Sequence, residues 1–476
     1  MKRYLSFLAA VLVMLMLCSC GGKKAGVAPT VSSGGEGAPT PVDYDGHTFV
    51  VLTAGNVAFD DFSQIDASEV VLDNAMYERK IKVENDFNIE IVSEVAKGRS
   101  VGAGPGYQKI STSVLSGDYS YDAALIAGYD VATLAADNML YDLNSISTLD
   151  LSKSYWDQNA NCDLSVSGVM FFTTGDITVS DNNALFTLLF NKKLIDDYGL
   201  TSPYDYVNDG NWTLETFAGL VKSVSEDLNS DGIRDENDRY GLLVWDDAVM
   251  GIINGIGEKC ATVGEDGKIS LTLYNDRTVN ALDKYFNIIY DTDTAICYQR
   301  KLTTGSGIWN NNQGLFWLST LGNVPQLRTM EADFGIVPYP KMDASQDRYY
   351  QTISPYNSQF YCVPYLVEDV ERTGVILDAL AYYGQKIVTP AYYEKTIVGQ
   401  STRDEESVEM LYIILSTVAY DIGYYYQFGT YNNQLIYMVR ENDRSFVTRY
   451  DSYKVAAEQQ VSKTNAAFEK AIEEWK

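Results

Sequence analysis

The sequence predicts an α/β fold built as two domains. Strand-like and helix-like runs alternate from residue 47 to residue 140, the pattern of helices packed on a largely parallel sheet. Further on, the strongly apolar run Ala184–Asn191 (ALFTLLFN) leads into a short helix, as a second sheet would begin. About 430 residues follow the N-terminal region, too many for one simple core.

The N-terminal region stands apart. Lys2 and Arg3 precede an almost wholly apolar run from Tyr4 to Leu17. It is too short to span a bilayer and has the length of a signal-peptide core. It ends in Leu17-Cys18-Ser19-Cys20-Gly21-Gly22. This resembles the bacterial lipobox, in which a small residue precedes the cysteine that is lipidated and becomes the new N-terminus. Residues 1–19 are therefore expected to be a signal peptide and Cys20 the lipidated residue; Cys18 follows Leu17, which is not small. Residues 20–43 are rich in Gly, Ser, Ala, Thr and Pro and read as a flexible tether.

The elements then follow in order. His47–Leu52 (HTFVVL) is a strand, 67–87 a helix with Leu72, Met76, Val83 and Phe87 on one face, and Asn88–Val92 an alternating strand. A glycine-rich loop, Gly98–Gly106, opens a helix over 107–117; it has neither a GK[ST] ending nor GxGxxG, so it is no phosphate loop. Tyr121–Ala127 is a buried strand, Gly128-Tyr129-Asp130 a turn and Val131–Leu140 a helix. Ligands at such sheets sit beyond the strands' carboxyl ends, where Tyr129 and Asp130 fall. Thr213 is placed to cap a helix whose buried face is Leu214, Phe217, Leu220, Val221 and Val224. Residues 269–291 read as a strand and a helix, Gly335–Pro340 and Ser354–Pro364 as extended, and the rest from Glu368 as mostly helical.

The sharpest motif is Asp227 to Asp238 (DLNSDGIRDEND). Asp227, Asn229 and Asp231 take positions one, three and five of a calcium loop. Gly232 takes the tight-turn position, Ile233 would offer its carbonyl, and Asp235 and Asp238 take nine and twelve. Asp in place of Glu at twelve and Arg234 at eight depart from the pattern; the loop is nonetheless expected to bind Ca²⁺, with an acidic surface loop that binds nothing as the alternative. If Ca²⁺ binds, its role is structural, since a closed loop leaves no open position.

Composition narrows the function. A formal charge of −28 makes the chain a poor nucleic-acid binder and favours solubility. With His47 the only histidine, Ser-His-Asp or Cys-His machinery must use it or does not exist, and zinc sites with two His are excluded. Cys162, Cys260, Cys297 and Cys362 form no CxxC pair; they read as buried small apolar residues, with disulfides the other option. The 36 Tyr, 17 Phe and 6 Trp supply the flat, polar-tipped faces that suit hydroxyl-rich ligands, although most must be ordinary core or surface residues.

Five stretches in order resemble the extracellular solute-binding proteins of family 1, the carbohydrate-type lipoproteins of bacterial ABC importers. They are ERKIKVENDFNIEI (78–91), YDAALIAGYDVATLA (121–135), LFNKKLIDDYGL (189–200) with NWTLETF (211–217), the acidic loop ending in DRYGL (238–242), and FGIVPYPK (334–341). The resemblance runs from about residue 45 to the end. It implies a two-lobed periplasmic-binding-protein-like fold of type II with a hinged cleft, residues 44–185 and 355–395 forming lobe I and 186–354 and 396–476 lobe II. It places ligand contacts at Trp317, in the GLFWLSTL segment, then Trp309, Tyr129 and Asp130, with Asp181 before the crossing strand and Tyr356 at the return. The implied protein is a monomer, lipid-anchored on the extracellular face of the cell membrane, that passes a small solute, a carbohydrate, to permease subunits without covalent chemistry. The alternatives are a surface-anchored glycoside hydrolase, which needs a carboxylate pair, and a carbohydrate-binding lipoprotein with no transport role.

Overall fold

The computed structural model describes residues 37–300, 304–327, 330–393 and 405–475. The expected signal peptide, the lipidation site Cys20 and most of the tether lie outside them.

Two sheets organise the chain. The first holds β1 (His47–Gly55), β2 (Ile89–Lys97), β3 (Ala123–Ala127), β4 (Phe172–Thr173) and β13 (Gln359–Cys362), in the order β2-β1-β3-β13-β4. The second holds β5 (Phe186–Asn191), β7 (Arg239–Val244), β10 (Ala295–Cys297), β11 (Gly314–Thr320) and β12 (Phe334–Val337), in the order β10-β7-β11-β5-β12. Short β6 (Ser225–Glu226) adds to β7, and β8 (Ala261–Val263) with β9 (Ile269–Leu271) forms a separate hairpin. In the first sheet β1 runs parallel to β2 and β3, while β13 is antiparallel to β3 and β4. In the second, β7 runs parallel to β10 and β11, while β5 is antiparallel to β11 and β12.

The chain leaves the first sheet after β4, enters the second at β5, and returns between β12 and β13. Leu185 bridges Ile353 on the way out and back, and Gln351 bridges Val418, so a third segment joins the linkage. The C-terminal part is not confined to the second lobe as expected. The helix Phe446–Trp475 packs Phe468 against Phe171, rings tilted at 46° with 5.0 Å between centroids, and pairs Lys463 with Asp137 (2.8 Å) on one side; it pairs Lys268 with Glu469 (2.8 Å) on the other.

Local sequence explains most boundaries. The helix Val71–Phe87 buries Met76, Val83 and Phe87 and stops at Asn88, whose φ of 46° is a left-handed cap. The helix Leu214–Lys222 starts at Thr213, whose hydroxyl accepts the Thr216 N–H at 3.3 Å. One expectation fails at the strand end: Gly128, Tyr129 and Asp130 are not a turn but the first residues of the helix Gly128–Ala136. Gly128 permits this, because a Cβ there would lie 2.9 Å from Pro355 Cα. Cys260 and Cys362 are buried thiols, Cys297 is half-buried, and Cys162 departs from the apolar reading by lying exposed on the helix Gln158–Leu164. Among the described residues no helix is long and apolar enough to cross a membrane.

Candidate functional site

The carboxyl ends of the parallel strands are where such sheets present side chains to a ligand. After β3 comes Tyr129; after β7 come Trp245, Asp246 and Asp247; after β10 come Tyr298 and Gln299. These groups gather around Asp247. Its charge bears on the phenols of Tyr129, Tyr298 and Tyr424, which belong to the first sheet, the second sheet and the C-terminal region.

Asp246 is fixed on two sides. Its N–H donates to Gln299 Oε1 at 2.7 Å, and Arg440 Nε donates to its Oδ2. Asp247 stands before the helix Ala248–Gly255 without forming a capping bond. Burial and the adjacent Asp246 charge push its pKa up to about 7, against the pull of Arg440. It is half-buried by accessible surface, so it is enclosed by protein yet reachable by a small molecule. Tyr129 accepts a hydrogen bond from Asn432 Nδ2 at 3.0 Å and meets the Tyr424 ring edge-on, centroids 6.0 Å apart. Burial pushes the phenols of Tyr129 and Tyr424 upward. Tyr298 accepts from Trp317 Nε1 at 3.3 Å, and burial pushes its phenol up to about 12.

The six residues expected to touch ligand divide four ways. Tyr129 and Trp317 belong to the Asp247 constellation. Trp309, 5.8 Å from Trp317 and packed on Phe334, has no exposed face and backs Trp317 instead of offering a platform. Tyr356 is half-buried and donates to Asn56 Oδ1 at 2.9 Å, joining the return segment to the loop after β1. The two acids hold backbone. Asp130 Oδ1 accepts the N–H groups of Gly102 (2.9 Å) and Gly104 (3.1 Å), fastening the glycine-rich loop, and burial raises its pKa. Asp181 accepts from Thr174 Oγ1 at 2.9 Å and from Asn182 N at 2.8 Å inside the linkage between the sheets.

Asp246, Asp247, Tyr298, Tyr424, Asn432 and Arg440 were missed. The strand-end logic that selects Tyr129 applies equally to the Trp245-Asp246-Asp247 run after LLV. Asn432 and Arg440 reach the site from far along the chain and leave no local signal. His47 sits at the start of β1, bonded to Asp122 at 3.0 Å, at the amino end of its strand and so at the opposite end from Tyr129.

The acidic loop uses its carboxylates on its own backbone. Asp227 Oδ2 accepts Gly232 N–H (2.8 Å), Asp231 Oδ1 accepts Ile233 N–H (2.8 Å), and the buried Asp238 accepts from Leu228 (3.1 Å) and Asp235 (3.0 Å). Gly232, at φ 77°, makes the expected tight turn. Arg234 Nη1 lies 3.6 Å from Asp238 Oδ2. Asp227 Oδ1 is buried with no donor, an oxygen a cation would satisfy, but among the described residues no three acids, histidines or cysteines converge closely enough to hold a metal ion. A depression of 430 Å³ lined by Leu200, Tyr206 and Leu220 is not at the strand ends and presents no charged group.

No protein-family model and no curated protein matches the chain. Solved structures do. The galacto-N-biose/lacto-N-biose I-binding protein of a Bifidobacterium longum ABC transporter, in complex with lacto-N-biose, matches with a TM-score of 0.59 at 10% identity, covering 89% of this chain and 98% of that one. An ABC substrate-binding protein from Listeria monocytogenes, in complex with cycloalternan, matches at 0.55 and 12% identity, over 89% and 99%. The maltose/maltodextrin-binding domain from Bdellovibrio bacteriovorus, bound to maltotriose, matches at 0.55 and 13%, over 87% and 100%. At these identities the likeness establishes the fold: the chain has the two-lobed architecture of periplasmic binding proteins.

Proposed function

We propose that this chain is an extracellular, lipid-anchored solute-binding protein that captures a carbohydrate between its lobes and hands it to the permease of an ABC importer. The observation that carries the reading is the meeting of strand ends from both sheets around Asp247, a half-buried carboxylate with no capping bond, beside Tyr129, Tyr298 and Tyr424. Rings that stack on sugar faces, with an acid that accepts hydroxyl donors, are what sugar capture requires. The neighbours' bound saccharides support the same reading. Closure of the lobes on the solute is the working motion, and Cys20 is the anchor.

The test is a thermal-shift and calorimetric screen of the chain from Cys20 onward against mono- and oligosaccharides, amino acids and short peptides. A ligand that binds only the folded state raises the midpoint by mass action. A sugar-specific shift without turnover, lost in Asp247→Asn, supports the reading; a shift with peptides alone overturns the carbohydrate assignment. We also propose that the loop 227–238 takes a structural Ca²⁺, with Asp227, Asn229, Asp231, Ile233, Asp235 and Asp238 as ligands once their oxygens turn from backbone N–H groups to the ion. Chelation should then lower the midpoint and Asp227→Ala abolish the calcium effect; identical melts with calcium and chelator dismiss it.

A further inference from the structure

Away from the cleft, three carboxylates share the linkage between the sheets with no salt-bridge partner among the described residues. Asp157 caps the helix Gln158–Leu164 by accepting Asn159 and Ala160 N–H at 2.8 and 2.9 Å. Its other oxygen accepts Tyr420 Oη at 2.8 Å, from the third linking segment. Asp176, on the segment from β4 to β5, accepts Thr389 Oγ1 at 2.6 Å. Asp181, on the same segment, accepts Thr174 Oγ1. The backbone interlocks as well: Asp157 N–H donates to Thr174 O at 3.0 Å, Asp176 N–H to Tyr155 O at 2.9 Å, and Ala419 N–H to Gln351 O at 2.8 Å. The cluster thus sits where the segments joining the two sheets touch one another, and any rotation of one lobe against the other must shear it.

The surroundings are aromatic and, among the described residues, almost free of cations. Tyr392, Tyr393, Tyr420 and Tyr425 pack around the three acids, and Tyr425 Oη, buried without a hydrogen-bond partner, lies in the field of Asp181 and Asp157. From the helix Gln158–Leu164 the charged neighbour is Asp163, itself paired with Lys259 at 2.7 Å. From residues 384–388 it is Lys386, which is exposed and bonded to Gln385. Asp421, beside Tyr420, is occupied with the backbone N–H of Cys260 and Gly423. Asp181 is buried, and Asp157 and Asp176 are half-buried; acids gathered on one interlocked set of segments, largely withdrawn from water, do not all ionise together.

We propose that this linkage is a proton-gated hinge, in which Asp176 and Asp181 hold protons while the linking segments pack as seen here and release them to water as the segments part, with Asp157, held by two amide donors and the Tyr420 phenol, as the neighbouring acid. The expected directions agree: burial first, then mutual repulsion, raises Asp181 to about 7, burial raises Asp176 to about 6, and burial raises Asp157. Acid therefore favours the packed arrangement, and rising pH loosens it, with or without a solute in the cleft.

Hydrogen exchange of the ligand-free chain tests this, with residues 174–185 and 416–421 compared against β1 and β3 as internal reference. Between pH 5 and pH 7, after correction for intrinsic exchange, protection of the linking segments is expected to fall about tenfold per pH unit for one linked proton, while the reference strands hold. Asp176→Asn/Asp181→Asn should flatten the dependence. A flat wild-type profile overturns the proposal even if the variant fails to fold, and so does a folded variant that keeps the wild-type slope.

Discussion

Two buried acids of the same lobe region show how differently the molecule treats negative charge. Asp61, in the loop after β1, is fully enclosed and answered by Arg79, whose guanidinium lies 3.7 Å away, stacks over Phe62 and donates to Ile177 O. Asp181, a few residues from Ile177, is equally enclosed and answered only by hydroxyl and amide donors. Burial raises both, Asp61 to about 6 and Asp181 to about 7, because a cation at that distance only partly offsets lost hydration. The first arrangement is scaffold, since removing its cation strands a charge. The second holds a proton and can respond to one. Asp247 is a third case, an acid beside another acid that does have its arginine.

The largest expected effect breaks the scaffold pair. Arg79→Met leaves Asp61 buried and alone, and should cost about 3–5 kcal/mol of unfolding free energy in urea titration at neutral pH. A loss under about 1 kcal/mol would erase the distinction drawn here. Asp181→Asn should act in the opposite sense. Its folded pKa lies above the unfolded value, so the folded state binds the extra proton between about pH 4 and pH 7 and wild-type stability falls as pH rises through that window. The amide escapes this, so the variant should match wild type below pH 4 and exceed it at pH 8 by up to about 4 kcal/mol, read from melts across pH. Asp247→Asn should leave the midpoint unchanged or raised, while weakening whichever sugar the screen identifies by about 1.5–3 kcal/mol, the worth of a charged hydrogen bond; equal affinity by calorimetry would remove Asp247 from the site. Thr213→Ala, an ordinary cap, should cost about 1 kcal/mol at every pH, a baseline free of titration.

The sequence discloses what is local. Strand and helix alternation exposes the first sheet because β1, β2 and β3 are joined by helices close in the chain, and Thr213 is visible as a cap because its partner is three residues away. The aromatic segment misleads at Trp309, not at Trp317. Trp309 lies on the helix Gly305–Asn310 before β11, fully buried between Trp317 and Phe334, so its ring is packing before it is anything else. Asp130 misleads because glycines at 102 and 104 let backbone N–H groups close on its short side chain. The cleft acids are half-legible: Asp246 and Asp247 follow a strand as Tyr129 does, but only the fold shows that Arg440 takes one and leaves the other. The run Asp227 to Asp238 follows the calcium-loop pattern by spacing, yet spacing does not say whether an oxygen faces an ion or a neighbouring amide.

The helix Phe446–Trp475 leans on both lobes, and its partners lie far back along the chain. The ion pair of Lys268 with Glu469 joins residues 201 positions apart, and the contact of Phe468 with Phe171 closes a longer loop still. Contacts of such sequence separation give back the entropy of loop closure only after it has been spent, so each sheet can form on its own strands before this helix fastens one to the other.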